Sequence, residues 1–147
     1  MNSYLGKLFT DFRFAHPAAV LVSGSTGSGK SFFVKNVIEK GGIRGRITSI
    51  YYFMPRLERL DINPPPGQRL YLMEGLPTRN WVDETFRETQ RDSMIVIDDQ
   101  WKEAVDNRCI EYLLVYGRRH LGITIFGITQ NFYQRSKAST LIRYCFL

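Results

Sequence analysis

One eight-residue stretch near the N-terminus has the residue types and spacing of a phosphate-binding loop. Residues 24–31 read GSTGSGKS, which fits the pattern G-x-x-x-x-G-K-S. Its glycines allow a tight curve with no Cβ between backbone and phosphate, so successive N–H groups can donate to phosphate oxygens. Lys30 then reaches the β- and γ-phosphates, and the Ser31 hydroxyl helps to hold Mg²⁺. The pattern predicts a nucleotide-binding site formed by Gly24, Ser25, Thr26, Gly27, Ser28, Gly29, Lys30 and Ser31.

Two adjacent carboxylates follow a second apolar segment. Residues 94–97 are apolar, and Asp98 and Asp99 come directly after them. An acid at the end of such a strand meets Mg²⁺, directly or through water, in a site of this kind. We therefore expect Asp98 to be a metal ligand, and Asp99 to orient the water that attacks the γ-phosphate or to accept its proton. The alternative is that Asp99 only caps the following turn.

A polar pair, Thr129 and Gln130, follows a third apolar segment. A glutamine amide at the end of a strand can hydrogen-bond both the γ-phosphate and the attacking water. Gln130 is therefore predicted to act in catalysis together with Lys30 and Asp99, as the residue that senses the bound nucleotide. Taken alone, such a pair is more typical of a solvated strand end.

Strand-like and helix-like segments alternate along the chain, which predicts an α/β fold with a mainly parallel sheet, flanking helices and right-handed crossovers. Strands are predicted at 18–24, 47–54, 69–74, 93–101, 123–130 and 141–147, and helices at 30–40, 78–90 and 106–120. The three prolines at 64–66 predict a loop. Ligands bind at the carboxyl ends of parallel strands, so the polar groups described above are expected to meet at one edge of the sheet.

Size and composition indicate one globular domain over residues 1–147. The apolar share is 44%, and the net charge is +6 with a pI near 9.5, which is compatible with a polyanionic partner such as nucleic acid. No stretch is long and apolar enough to span a membrane, and no secretory signal pattern is present, so we expect an intracellular protein.

Residue 147 lies within an apolar strand-like run, which predicts a domain truncated at its C-terminus.

The cysteines and histidines have no spacing that indicates a chemical site. Cys109 and Cys145 lie far apart in the sequence and are predicted to be free thiols outside any metal cluster. His16 and His120 have no partners that indicate metal binding or acid–base work, so both are predicted to be surface residues. Ser31 and Asp98, described above, remain the metal ligands predicted from this sequence.

The order of these segments resembles the FtsK/HerA superfamily of P-loop ATPases. The resemblance is carried by HPAAVLVSGSTGSGKSFFV, MIVIDDQW, GRRHLGITIFGITQN and LIRYCFL, and it covers the chain from about residue 14 onward. The strand before the phosphate-binding loop and the strand of the Asp-Asp segment are not consecutive in the sequence, as in the RecA/FtsK-like extra-strand class of P-loop NTPases. The sequence looks closest to genome-packaging ATPases of poxvirus-like and other large double-stranded DNA viruses, and of related virus-like elements. It differs at Asp99, where the superfamily commonly has glutamate.

The resemblance implies a motor subunit that binds ATP and Mg²⁺, hydrolyses ATP and translocates double-stranded viral DNA into capsids. It also implies a homo-oligomeric ring, a capsid or portal protein as partner and no membrane partner. The implied location is the host cytoplasm or nucleus during viral assembly, or the virion. Lys30, Ser31, Asp98, Asp99 and Gln130 would have the roles given above.

Beyond Lys30, the phosphate-binding loop has no cation to neutralise the negative charge on the γ-phosphate in the transition state, and arginines are expected to supply this positive charge. Ring ATPases stabilise the transition state with an arginine from a neighbouring subunit. Arg118 and Arg119, which end the helix before the sensor strand, are the first candidates for this role, and Arg143 is the second. The alternative for Arg118 and Arg119 is that they only interact with the dipole at the end of their helix. Arg56 and Arg59 follow the second strand and are predicted to contact DNA phosphates, with a solvated charged loop as the alternative.

Two other classes of function share a phosphate-binding loop. A nucleotide or small-molecule kinase would use the same loop, but no arginine-rich lid segment follows the Asp-Asp segment, and Gln130 would be unexplained. An ATP-binding switch or remnant would bind ATP without useful hydrolysis. DNA-stimulated hydrolysis distinguishes the motor from both alternatives.

Overall fold

Among the residues that the structure describes, five parallel strands form a central sheet. The computed structural model describes residues 13–25, 27–86, 92–104 and 107–130. The strands are β2 (Ala19–Ser23), β4 (Ser49–Met54), β5 (Arg69–Glu74), β6 (Ser93–Asp98) and β7 (Ile123–Thr129). They lie in the order β2-β7-β6-β4-β5, and each neighbouring pair is parallel. The prediction of an α/β fold with a mainly parallel sheet is confirmed.

Helices connect these strands and flank the sheet. α1 spans Lys30–Glu39 after β2, and α2 spans Arg79–Thr85 after β5. The segment after β6 contains α3 (Trp101–Ala104), α4 (Arg108–Tyr112) and a π-helix (Leu113–Leu121) that continues α4. Within the described part of the chain, no helix is long and apolar enough to cross a membrane.

Alternating side chains along the strands place a hydrophobic cluster on each face of the sheet. Ile50 and Met54 of β4 belong to the cluster that contains Val34 of α1. Tyr51 and Phe53 of the same strand belong to the other cluster, which contains residues of α2, α4 and the π-helix. The sheet is therefore covered by α1 on one face and by the later helices on the other.

Side-chain caps explain where two of the helices begin. Thr78 Oγ1 accepts a hydrogen bond of 3.1 Å from the Trp81 backbone N–H at the start of α2. Asn107 Oδ1 accepts a hydrogen bond of 2.8 Å from the Cys109 backbone N–H at the start of α4. Such caps satisfy backbone donors that have no partner within the first turn. The sequence allows this helix to be opened by Thr78 or by Asn80, and the structure has Thr78.

The structure differs from the predicted elements after β6, where the sequence indicates one helix at 106–120. Gly117 lies within the π-helix, and a Cβ on it would be 3.3 Å from Leu113 Cδ2 and 3.7 Å from Ile123 Cδ1. Glycine weakens regular α-helix, and its missing side chain allows close packing against β7. The left-handed Gly122, with a φ of 64°, ends the π-helix.

A second, two-stranded parallel sheet is not apparent from the sequence. β1 (Phe14–Ala15) pairs with β3 (Ile43–Arg44). Strands of two residues are too short for the alternation that indicates a strand. The Phe14 ring packs edge-to-face on Phe126 of β7 with a centroid distance of 5.3 Å, which joins this small sheet to the main one. The strand predicted at 141–147 lies outside the described residues.

Candidate functional site

One cavity lies at the carboxyl ends of β4, β6 and β7, next to the predicted phosphate-binding loop that follows β2. Its volume is about 680 Å³. Lys30 and Ser31 line it from the start of α1, Asp98 and Asp99 from the end of β6, and Gln130 from the end of β7. The three polar groups that the sequence singles out therefore lie around the same cavity.

Two glycines in left-handed backbone conformations shape the phosphate-binding loop. The φ angle is 80° at Gly27 and 89° at Gly29, a region that residues with a Cβ rarely adopt. The Ser28 N–H donates to the Ser25 carbonyl at 3.1 Å and closes a turn. α1 begins after Gly29, and no described side chain caps it, so its first N–H groups and positive dipole end are available to an anion. Thr26 lies outside the described residues.

The side chain of Lys30 lies across the start of the phosphate-binding loop. Its Nζ donates to the Gly24 carbonyl at 2.6 Å and to the Ser25 carbonyl at 3.1 Å. The Gly24 N–H donates to the Thr129 carbonyl at 3.2 Å, which ties the loop to the end of β7. A Cβ on Gly24 would lie 2.6 Å from Ser28 Oγ, so glycine allows this close approach. Because an ammonium has three N–H donors, Lys30 can keep both contacts and still donate to a phosphate.

Asp98 ends β6 in a half-buried position beside Tyr52 of β4. The Tyr52 hydroxyl donates to Asp98 Oδ2 at 2.8 Å. Burial raises the pKa of Asp98, and the negative charges of Asp99 and Glu58 raise this pKa further. The Tyr52 hydrogen bond and the positive charge of Lys30 act on the pKa in the opposite direction. A cation bound in the cavity would therefore stabilise the ionised form of this carboxylate.

Asp99 leaves the strand in a backbone conformation that is unusual for a residue with a Cβ. Its φ angle is 56°, in the left-handed region that aspartate tolerates better than most residues. Its N–H donates to the Ile128 carbonyl at 3.1 Å and so extends the contact between β6 and β7 by one bond. Its side chain is exposed at the cavity wall. The two neighbouring acids therefore have different surroundings, one half-buried and one open to solvent.

Gln130 follows directly after β7, the strand between β2 and β6. The register places Ser23 opposite Thr129 on one side of β7 and Asp98 opposite Ile128 on the other. Thr129 is buried, whereas Gln130 is exposed at the cavity. This register brings the predicted sensor residue to the cavity between the phosphate-binding loop and the two acids.

Three polar residues in or beside the cavity were not assigned to the site from the sequence. They are Tyr52, Arg56 and Glu58. Arg56 lines the cavity wall, and the DNA contact predicted for it stays a prediction. β4 is the neighbour of β6, so the segment after Met54 starts at the same edge of the sheet as Asp98. The order of strands in the sheet is the signal that would have identified these residues.

The donors around the cavity suit Mg²⁺. Among the described residues, no group of three or more His, Cys, Asp or Glu could hold a metal ion by itself. Mg²⁺ is usually bound by one or two carboxylates together with substrate phosphates and water, rather than by a cage of protein ligands. The Asp98 carboxylate and the Ser31 hydroxyl line the same cavity and fit this description.

Several of the arginines and cysteines considered in the sequence fall wholly or partly outside the described residues. The backbone of Arg118 and Arg119 belongs to the π-helix, and their side chains are outside the described part of the structure. Arg143 and Cys145 also lie outside it. Cys109 is a half-buried free thiol, as predicted. The assignment of an arginine to a neighbouring active site stays a prediction.

The two histidines differ in their surroundings. His16 was predicted to be a surface residue, but it is partly buried, and its Nδ1 lies 2.6 Å from Thr124 Oγ1. β1 and the main sheet are close here, and the sequence does not reveal this contact. His120 is exposed, as expected, and its ring stacks on Tyr116 with a centroid distance of 4.4 Å. Neither histidine lines the cavity.

Comparisons with known proteins do not assign the chain to a family. No protein-family model matches it, and no curated protein sequence matches it. The likeness to the FtsK/HerA superfamily therefore depends on the sequence segments quoted above, and the function has to be argued from the residues around the cavity.

Proposed function

We propose that this protein is a Mg²⁺-dependent ATPase of the RecA/FtsK-like extra-strand class of P-loop NTPases. The observation that carries the proposal is that Lys30, Ser31, Asp98, Asp99 and Gln130 line the same cavity. The position of β7 between β2 and β6 supports it, because this strand separates the phosphate-binding loop from the two acids and carries a polar residue to the space between them.

Each residue of the cavity has a distinct part in the proposed reaction. Backbone N–H groups of the phosphate-binding loop and of α1 bind the phosphates, and Lys30 binds the β- and γ-phosphates. Ser31 and Asp98 would hold Mg²⁺, which neutralises negative charge on the phosphates when bound. Asp99 is solvent-exposed, so it can orient the attacking water and accept its proton. Gln130 donates to the γ-phosphate and accepts from the same water.

The proposed biological role is the packaging of double-stranded viral DNA by a homo-oligomeric ring. The resemblance to packaging ATPases and the net charge of +6 support this role. A capsid or portal protein would be the docking partner, and a trans arginine would complete each site. Contacts with DNA would be made to phosphates, so binding would depend steeply on salt and little on base sequence.

DNA-stimulated ATP hydrolysis is the experiment that tests this function. We expect hydrolysis that requires Mg²⁺, rises when double-stranded DNA is added, and loses this stimulation as salt increases from about 50 to 200 mM. Asp99→Asn protein, purified in the same way, measures any contaminating ATPase. Phosphate transfer to a small acceptor would instead support the kinase alternative. ATP binding without hydrolysis, with or without DNA, would support the switch.

A further inference from the structure

The hydroxyl of Tyr52 is a buried polar group on the strand next to Asp98. Tyr52 is 2% exposed and belongs to the hydrophobic cluster on the α1 side of the sheet. Its neighbours on the same face of β4, Ile50 and Met54, are apolar. β4 pairs in parallel with β6, and Tyr52 lies opposite Val96. The backbone of Tyr52 is therefore level with a residue that comes two positions before Asp98 in β6. From there the Tyr52 side chain extends along the sheet and reaches the Asp98 carboxylate.

The contact between the two side chains fixes the orientation of the carboxylate. Tyr52 donates its hydroxyl hydrogen to Asp98 Oδ2 at 2.8 Å. The phenol ring is held by the packed cluster around it, so the hydroxyl has a well-defined position. A buried hydroxyl also needs a hydrogen-bond partner, which makes this contact favourable to the tyrosine as well as to the acid. Rotation of the Asp98 carboxylate would break the bond.

We infer that Tyr52 is a positioning residue for the metal ligand Asp98. By holding Oδ2, Tyr52 turns the carboxylate so that Oδ1 takes the divalent cation of the Mg²⁺–nucleotide complex. This inference rests on the proposed function. Hydrogen-bond partners behind a metal ligand set its orientation, and removing such a partner typically lowers metal affinity about 10–100-fold. Tyr52 acts through Asp98 and does not touch the nucleotide.

The test is the Mg²⁺ dependence of nucleotide binding in a Tyr52→Phe variant. This change removes the hydroxyl and keeps the ring. The readout is the binding of a fluorescent, non-hydrolysable ATP analogue, titrated with Mg²⁺ and measured separately in EDTA. We expect Tyr52→Phe to need about 10–100-fold more Mg²⁺ for half of the metal-dependent gain in affinity. Binding in EDTA should not change, because Lys30 and the phosphate-binding loop are untouched.

Tyr51→Phe is the matched control, because it removes a hydroxyl from the adjacent residue on the opposite face of β4. It should bind the analogue like the wild-type protein under both conditions. A second variant pair, Asp98→Asn with and without Tyr52→Phe, tests whether Tyr52 acts through Asp98. Once the carboxylate is absent, removing the hydroxyl should have no further effect on Mg²⁺ dependence.

The possible results separate the inference from the proposed function. Wild-type Mg²⁺ dependence in Tyr52→Phe would overturn the inference, and so would an equal loss in the Asp98→Asn background. A general loss of folding would weaken binding in EDTA as well as in Mg²⁺, and that result would also count against a positioning role. Wild-type protein that does not bind the analogue at all would overturn the proposed function and, with it, the inference.

Discussion

Replacing Asp99 by asparagine, alanine or glycine separates the chemistry of its carboxylate from the strain of its backbone. Asp99 has a φ of 56°. The left-handed conformation costs a residue with a Cβ about 1–2 kcal/mol, asparagine and aspartate tolerate it better, and glycine has no such cost. We therefore expect Asp99→Ala to be about 1 kcal/mol less stable than Asp99→Asn or Asp99→Gly. For a chain of this size, this corresponds to a melting temperature lower by about 3 °C.

All three variants should lose hydrolysis, because none has a group that accepts the proton of the attacking water. The expected loss is about 10²–10⁴-fold in rate, the usual contribution of a general base. Thermal melting and urea unfolding measure stability, and a coupled phosphate-release assay measures hydrolysis. Binding of MgATP should remain, since Lys30 and Asp98 are unchanged. Equal stability of the alanine and glycine variants, or wild-type hydrolysis by Asp99→Asn, would refute the reasoning.

Two further predictions concern Asp98 and the trans arginine. Burial raises the pKa of Asp98 in the folded protein above its unfolded value. The contribution of this carboxyl group to folding stability is therefore present below the unfolded pKa and is lost as pH rises through the folded pKa. Without Mg²⁺, Asp98→Asn should therefore melt at a higher temperature than wild type at neutral pH, with the gap closing in acid, while Mg²⁺-dependent ATP binding is weakened. A gap that is constant with pH would contradict this assignment. Arg118/Arg119 double-Ala protein should bind ATP normally but, when mixed into wild type, lower activity by more than its mole fraction. A proportional decrease would mean that each subunit hydrolyses ATP alone.

The main strands and the phosphate-binding loop could be predicted because their signals are local. β2, β4, β5 and β7 lie within the predicted strands, and β6 starts at the predicted Ser93. Apolar and β-branched runs indicate buried parallel strands, and the glycine spacing of residues 24–31 indicates the loop. The meeting of Asp98 and Gln130 at one edge follows from a parallel sheet, since all strands end on the same side.

The missed features depend on which strands are neighbours. Tyr52 looks like an ordinary core residue of β4, and its contact with Asp98 exists because β4 lies beside β6. The same adjacency brings the loop segment that contains Arg56 to the cavity. The π-helix depends on how Gly117 packs against Leu113 and β7, which is a tertiary contact. Periodicity along one segment does not contain this information.

The most direct test of the central claim is ATP binding to the wild-type protein and to Lys30→Ala, measured by calorimetry in Mg²⁺. Lys30 lines the cavity and holds the start of the phosphate-binding loop through the Gly24 and Ser25 carbonyls. Its loss removes the cation that meets the β- and γ-phosphates, so binding should disappear or weaken severely while the fold melts as a cooperative unit. Lys40→Ala, a change outside the cavity, should bind ATP like the wild type. Wild-type protein that binds ATP no better than Lys30→Ala would contradict the account.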